Sequence, residues 1–184
     1  LARNLGVAGE TERLGHEILT ITRRESSGLA PEKQRLDRGA RTAQRLEDHT
    51  ELAEKKGIRL STRIREAAAD ADPVLLGKAL GNLILNAIQY SPEGESIYIT
   101  VESRQNGVVF EIENTGVHLP EARIDELFAP FVRVEESRNR NTGGSGLGLH
   151  IVQTVLELHG ATYRMVNTAA GVQFSFTLPA PSEA

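Results

Sequence analysis

The stretch that most constrains this chain is "DPVLLGKALGNLILNAIQYSPEG", Asp72 to Gly94. Asp72 followed by Pro73 marks a helix start: an N-cap candidate, then a proline at the first helical position, where its missing N–H does no harm. Pro92 and Gly94 end the segment, so the pattern predicts a helix to about Tyr90. Leu80, Leu83, Ile84, Ala87 and Ile88 occupy most of its angles, so it has to be buried under another layer. Yet Asn82, Asn86, Gln89 and Tyr90 fall at i, i+4, i+7 and i+8, along one face. Two asparagines on a buried helix need partners, or each costs about 1–3 kcal/mol. They could bond to neighbouring backbone. Alternatively, an asparagine oxygen is a neutral ligand suited to a Mg²⁺ ion that keeps its waters and phosphate oxygens. The helix alone leaves both open.

The flanking sequence supplies the second layer. Residues 10 to 25 read as an amphipathic helix, with Leu14, Ile18 and Ile21 on one face, broken by "SSGLAP". Asp37 to Lys56 reads as a helix with Leu46 and Leu52 on its apolar side and Gly57 as its stop. "IRLSTRI" alternates as a strand, with Ile58, Leu60, Thr62 and Ile64 on one face. After the long helix come strands "SIYITVES" and "VVFEIE", joined by a Gln105-Asn106-Gly107 turn. "ENTGVHLPE" leads into a short helix, "EARIDELF", and a polar glycine-rich loop, "RVEESRNRNTGGSG". "LGLHIVQTVLELHG" is an amphipathic helix with Gly160 as its stop, and "TYRMVN" and "VQFSFTLP" are the last strands, joined across "TAAG". About five strands, mostly hairpin neighbours, and three main helices predict an α/β two-layer sandwich. Its sheet is mostly antiparallel, with the helices on one face.

Composition narrows the function. The net charge of −4 divides unevenly: residues 1–66 hold 14 Lys+Arg against 11 Asp+Glu, the remainder 7 against 14. An acidic half of this kind repels phosphate backbones, so no nucleic-acid partner is expected. The exception is Arg133, Arg138 and Arg140, clustered in "RVEESRNR". They suggest a local anion site, or a solvated loop paired internally by Glu135 and Glu136. No run of 18 apolar residues occurs, so no membrane contact is expected of these residues. Cysteine is absent, which excludes disulfides and thiolate metal sites and fits a reducing compartment. The chain opens on Leu1 and its only methionine is Met165, so a piece of a longer protein is expected.

Gly143, Gly144, Gly146 and Gly148 lead directly into a helix, an arrangement that presents free N–H groups and the positive dipole end to an anion. No Lys-Ser/Thr follows, so this is no Walker A loop, and no strand precedes it, so it is no Rossmann fingerprint. The order of features carries more weight: an asparagine-bearing helix, a strand ending in Asn-Thr-Gly, "LFAPF", an arginine-containing loop and a glycine-rich helix start. At this point the chain resembles the catalytic, ATP-binding domain of bacterial sensor histidine kinases, in the gyrase–Hsp90–kinase–MutL ATPase superfamily. "GNLILNAIQYSPEG" is similar to its N box, "ENTGVHLP" to its G1 box, "LFAPFVR" to its F box and "GGSGLGLHIV" to its G2 box. The resemblance runs from about Leu36 to Pro179.

That resemblance implies a Bergerat-type ATP-binding fold with ATP and Mg²⁺ as cofactors. It implies Asn86 as metal ligand, Asn82 supporting metal and triphosphate, and Tyr90 stacking on adenine. Asn114 would accept from the adenine amino group, Gly116 would give the base room, and Leu119 would line the pocket. Phe128 and Phe131 would anchor the base of a lid, Arg138 or Arg140 would reach the phosphates, and Gly144, Ser145, Gly146, Leu147, Gly148 and Leu149 would cradle them. Three positions depart from the pattern. Gln89 stands where a phosphate-contacting lysine is common. Asn114 stands for an aspartate, which makes its bond to the base neutral and roughly half as strong. His118 stands for a glycine, which narrows backbone freedom. ATP-hydrolysing relatives carry a glutamate where this chain has Asn82, whose amide cannot serve as a general base, so transfer to a positioned acceptor is favoured over hydrolysis.

The family's acceptor is a histidine on a separate helical hairpin. "HEILTI" at His16 imitates the motif, but only 66 residues separate it from Asn82, too few for the hairpin to return. Residues 1–30 are therefore read as the hairpin's tail and linker, and 31–184 as the ATP-binding domain. His49 and His150 are read as bland, and His159 as a favourable cation at a helix end. The partners implied are the hairpin of the same protein and a response regulator. The full protein would be a homodimer anchored in the inner or plasma membrane, with this domain on the cytoplasmic side and monomeric by itself. The competing readings are a degenerate nucleotide-binding module and an anti-sigma-type serine kinase.

Overall fold

The computed structural model describes residues 30–65, 67–132 and 146–180. Expectations for residues 1–29, including the helix over 10–25 and His16, lie outside them.

Helix α1 spans Arg38–Lys55, α2 Pro73–Tyr90 and α3 Gly148–Leu158. α2 starts as its sequence demands. One carboxylate oxygen of Asp72 accepts from the N–H groups of Val74 at 2.9 Å and Leu75 at 3.1 Å. The other accepts from the Glu32 N–H at 3.2 Å. α1 and α3 both close in Schellman turns. Gly57 and Gly160 take positive φ, and the next residues, Ile58 and Ala161, each donate back to the carbonyl five residues earlier.

Five strands form one sheet in the order β2-β4-β5-β7-β6: β2 Arg59–Ile64, β4 Ser96–Arg104, β5 Gly107–Thr115, β6 Thr162–Asn167 and β7 Gly171–Pro179. Only β2 and β4 run parallel, because the connection between them carries α2 as a crossover. The hairpins β4–β5 and β6–β7 are joined by antiparallel pairing of β5 with β7. A two-stranded ribbon, β1 Gln34–Asp37 with β3 Ala68–Ala71, went unanticipated. Both strands are four residues long, and the alanines of "AADA" carry little β preference. Asp37 accordingly ends β1 instead of opening α1.

Alternation puts Ile97, Ile99 and Val101 of β4, Val108, Phe110 and Ile112 of β5, and Phe174, Phe176 and Leu178 of β7 inward. Against them lie Leu76, Leu80, Leu83, Ile84, Ala87 and Ile88 of α2, and Ile151, Val152, Val155 and Leu156 of α3. In α1 the inward stripe is Thr42, Leu46 and Ala53, and Leu52 is 43% exposed, contrary to expectation. One residue is about 100° of helix, and Ala53 takes the inward angle. "EARIDELF" folds as two 3₁₀ turns, Glu121–Arg123 and Asp125–Phe128, since eight residues make a marginal helix.

His159 is no cation at the end of α3. It is 1% exposed. Its Nε2 accepts from the Asp72 N–H at 3.0 Å, so the proton is on Nδ1, which donates to the Val155 carbonyl at 2.7 Å. The ring joins the end of α3 to the start of α2. Asp72→Ala removes the cap at this junction and should lower the unfolding free energy by about 1–2 kcal/mol. A lower urea midpoint with unchanged slope checks it; an unmoved midpoint would show that the cap contributes nothing.

Candidate functional site

The polar stripe of α2 meets the start of α3 at a glycine. A Cβ built on Gly148 would lie 3.1 Å from Asn86 Nδ2 and 3.3 Å from both Asn82 Oδ1 and Asn86 Oδ1. Only glycine lets the two helices approach this closely without displacing the amides. Asn82 Nδ2 donates back to the Lys78 carbonyl at 3.0 Å, which orients its amide. The Asn86 amide makes no hydrogen bond with any described residue. α3 begins at Gly148 with no side-chain cap among the described residues. The dipole end of α3 and two amides therefore meet at Gly148, a set suited to phosphate and a hard cation. No cluster of three or more His, Asp or Glu occurs among the described residues, so a cation here would depend on amide oxygen, water and ligand phosphate.

The C-terminal end of α2 is closed by side chains from elsewhere. Strand β5 points residues 108, 110, 112 and 114 inward, and the last is asparagine, 7% exposed. Asn114 Nδ2 donates to the Ala87 carbonyl at 2.8 Å and to Ser91 Oγ at 2.9 Å. Its Oδ1 accepts nothing from the described residues, an orphaned acceptor that fits an amino group on a ligand. Lys56 Nζ donates to the carbonyls of Ile88, at 2.7 Å, and Gln89. Burial pulls the pKa of Lys56 below the ordinary lysine value. The Gln89 side chain is half-buried, and Tyr90 is 40% exposed, available for a planar partner.

The turn after β5 is tied at several points. Gly116 adopts φ +72, and its missing Cβ leaves space for the Glu95 carboxylate, which would lie 2.7 Å away. Glu95 accepts from the Thr115 hydroxyl. Leu119 is held at both backbone atoms by one side chain: its N–H donates to Asn167 Oδ1 at 2.9 Å and its carbonyl accepts from Asn167 Nδ2 at 2.8 Å. His118 does not need a glycine's freedom, since Phe131 is the only described non-glycine at positive φ. Its Nε2 instead bonds the Thr168 carbonyl at 3.1 Å and fastens the turn to the β6–β7 connection. Gly171 lets β7 pass close by, because a Cβ there would lie 1.8 Å from the Asn114 carbonyl.

Of the two phenylalanines, Phe128 is buried against Tyr163 and Phe174. Phe131 is 71% exposed, with φ +66. Its N–H donates to the Gly146 carbonyl at 3.0 Å, which brings the residues on either side of 133–145 together. Gly146 also has φ +72. Leu147 is buried and Leu149 packs on the core. His150 Nδ1 lies 3.3 Å from the Phe128 carbonyl and has a packing role. Arg133, Arg138, Arg140, Gly143, Gly144 and Ser145 lie outside the described residues.

Residues 71–182, from the end of β3 through β7, match the family described as histidine kinase-, DNA gyrase B-, and HSP90-like ATPase. The chain belongs to this ATPase family. The domain is 37% identical over 167 residues to the sensor protein VanSB of Enterococcus faecalis, which covers 90% of this chain and 37% of that protein. It is 31% identical over 180 residues to the sensor histidine kinase CusS of Escherichia coli K12, covering 98% and 38%. It thus spans under two-fifths of the length of these curated relatives. The nucleotide-free catalytic domain of histidine kinase ThkA superposes with a TM-score of 0.73 at 26% identity, over 82% of this chain and 97% of that one.

The ATPase domain therefore has its α2 asparagines, Asn114, the Leu119 turn and the α3 start in one continuous structure. Sequence reasoning missed Ser91, Lys56, Asn167 and Gly171. Only Asn167 left a signal, as a strand-end asparagine where β preference is poor. Asn167→Ala should speed amide exchange at Leu119 at least tenfold while global unfolding moves by less than about 2 kcal/mol; unchanged exchange would show that the clamp is idle. Asn114→Asp, although it restores the common family spelling, places a carboxylate oxygen against the Ala87 carbonyl. It should cost about 1–3 kcal/mol at pH 7. That loss should shrink as the pH falls through the raised pKa of the new carboxyl, because its protonated form can donate. Denaturant midpoints across pH check the sign.

Proposed function

We propose that this chain is the ATP-binding catalytic part of a sensor histidine kinase. In this reading it transfers the γ-phosphoryl group of ATP to a histidine on a helical hairpin, from which a response regulator receives it. The convergence of Asn82 and Asn86 on Gly148, at the start of α3, supports this reading most directly. Asn86 would ligate Mg²⁺ through its amide oxygen, and the bound ion would neutralise charge on the phosphates. Asn82 would orient the triphosphate, with its amide held by the Lys78 carbonyl. Gly144, Ser145, Gly146, Gly148 and the backbones of Leu147 and Leu149 would cradle the phosphates, with Arg138 or Arg140 above them. Asn114 Oδ1 would accept from the adenine amino group, with Tyr90 against the ring and Gly116, Leu119 and Gln89 lining the site.

The transfer forms a bond from a histidine ring nitrogen to the γ-phosphorus and breaks the bond from that phosphorus to the oxygen bridging to the β-phosphate, releasing ADP. The domain supplies placement and charge neutralisation, and no side chain need take a proton from water. Asn82, lacking general-base chemistry, keeps water unactivated. No helix among the described residues is long and apolar enough to cross a membrane. The cytoplasmic placement of this domain, a membrane anchor elsewhere in the protein and dimerisation through the hairpin belong to the same reading.

Titration calorimetry with Mg-ATP should show one site per chain, and Asn86→Ala should weaken it about tenfold or more, about 1.4 kcal/mol. Labelled ATP should transfer phosphate to an added hairpin domain bearing the acceptor motif, with no acid-labile label on His16. No heat at millimolar nucleotide would exclude the kinase reading.

A further inference from the structure

Helix α2 carries no basic side chain in its last turn. A helix C-terminus nonetheless favours a cation, because its last carbonyls lack intrahelical donors and carry the negative end of the dipole. Here the cation comes from another element. Lys56 Nζ donates to the carbonyls of Ile88, at 2.7 Å, and Gln89.

The ammonium is delivered from a fixed base. Lys56 is the first residue after α1, in the turn that closes with Gly57 at φ +67. Ile58 returns its N–H to the Ala53 carbonyl at 2.9 Å, and both residues are buried. The same turn is bonded to the loop that follows α2. The Gly94 N–H donates to the Gly57 carbonyl at 3.2 Å, and the Arg59 N–H to the Glu95 carbonyl at 3.0 Å. Lys56 is half-buried, and the two carbonyls replace water that its ammonium gives up.

This grip acts on one end of the site. The Gln89 carbonyl belongs to the peptide unit that carries Tyr90, and Ser91, the C-cap, follows directly. Asn82 and Asn86 have other supports: the Lys78 carbonyl orients the Asn82 amide, and Gly148 of α3 lies against both side chains. Loss of the ammonium would leave two carbonyls of the last turn to water and loosen Tyr90 and Ser91. The asparagines would keep their places.

We propose that Lys56 is a positioning residue for the base end of the nucleotide site: it caps α2 from outside through the Ile88 and Gln89 carbonyls, and so holds Tyr90 in place without touching the nucleotide. The inference rests on the nucleotide-binding reading above. Mg-ATP carries a base and inorganic tripolyphosphate with Mg²⁺ does not, so their affinities for the whole chain separate the two ends. Lys56→Met should weaken Mg-ATP about fivefold or more and tripolyphosphate less than about twofold. Lys56→Arg, which keeps the cation and its donors, should stay within about threefold of wild type for ATP. Equal weakening of both ligands, or of neither, in a folded Lys56→Met overturns the assignment, and so does an arginine variant as weak as the methionine one. No ATP binding by wild type overturns the underlying reading and this inference with it. ATP binding by wild type without tripolyphosphate binding at millimolar concentration overturns only the division into two ends on which the assignment stands. Amide exchange in the nucleotide-free chain gives a readout independent of affinity. Lys56→Met should speed exchange at Tyr90 and Ser91 about tenfold or more and leave Asn82 and Asn86 within about twofold; an equal change along all of α2, or none, overturns the grip.

Discussion

Helix α2 ends with carbonyls that its own residues cannot satisfy, and the rest of the site depends on how they are met. Every α-helix leaves its last carbonyls without intrahelical donors, and a buried end needs partners from outside. Here Asn114 and the Ser91 N–H serve the Ala87 carbonyl, and Lys56 serves those of Ile88 and Gln89. Asn114 belongs to β5 and Lys56 follows α1, so two distant elements are fixed to the end of the helix that carries Asn82 and Asn86. Asn114, on β5, is thereby hydrogen-bonded to the same helix that carries Asn82 and Asn86.

The other end of α2 is fixed just as firmly. Asp72 caps it, and the buried imidazole of His159 accepts from the Asp72 N–H. This sets the end of α3 against the start of α2, while Gly148 sets the start of α3 against the middle of α2. With both ends of α3 placed, Gly148 at its start lies against the Asn82 and Asn86 amides. Packing of apolar residues between helices and sheet supplies the bulk of stability, and these few polar contacts decide the register in which the layers meet.

The unusual spelling "ENTGVHLPE" follows from the same contacts. An aspartate at 114 would place acceptor against acceptor at Ala87, whereas asparagine donates there and keeps an oxygen for a ligand. A histidine at 118 sits in ordinary backbone and anchors the turn to the Thr168 carbonyl. The departures from the family pattern therefore read as a site with its own internal bonding.

Local chemistry was legible in the sequence. Asp72-Pro73, Gly57 and Gly160 marked helix ends because caps and left-handed turns depend on neighbours a few residues away. Alternation marked the sheet strands, and the ordered boxes marked the ATPase family. The failures were of other kinds. Leu52 was misplaced because one residue's rotation separates the inward angle from the outward one. The β1–β3 ribbon was missed because its strands gain their partners from 31 to 37 residues away. His159 was read as a favourable cation at a helix end because nothing near it in sequence shows that Asp72 would meet its ring. By itself, then, the sequence determined the elements, their order and the chemistry each could offer. Only the tertiary structure decided which polar groups are satisfied internally and which are left for a ligand, because that depends on contacts such as Asn114 with Ala87, Asn167 with Leu119 and Gly148 with Asn86, made between residues distant along the chain.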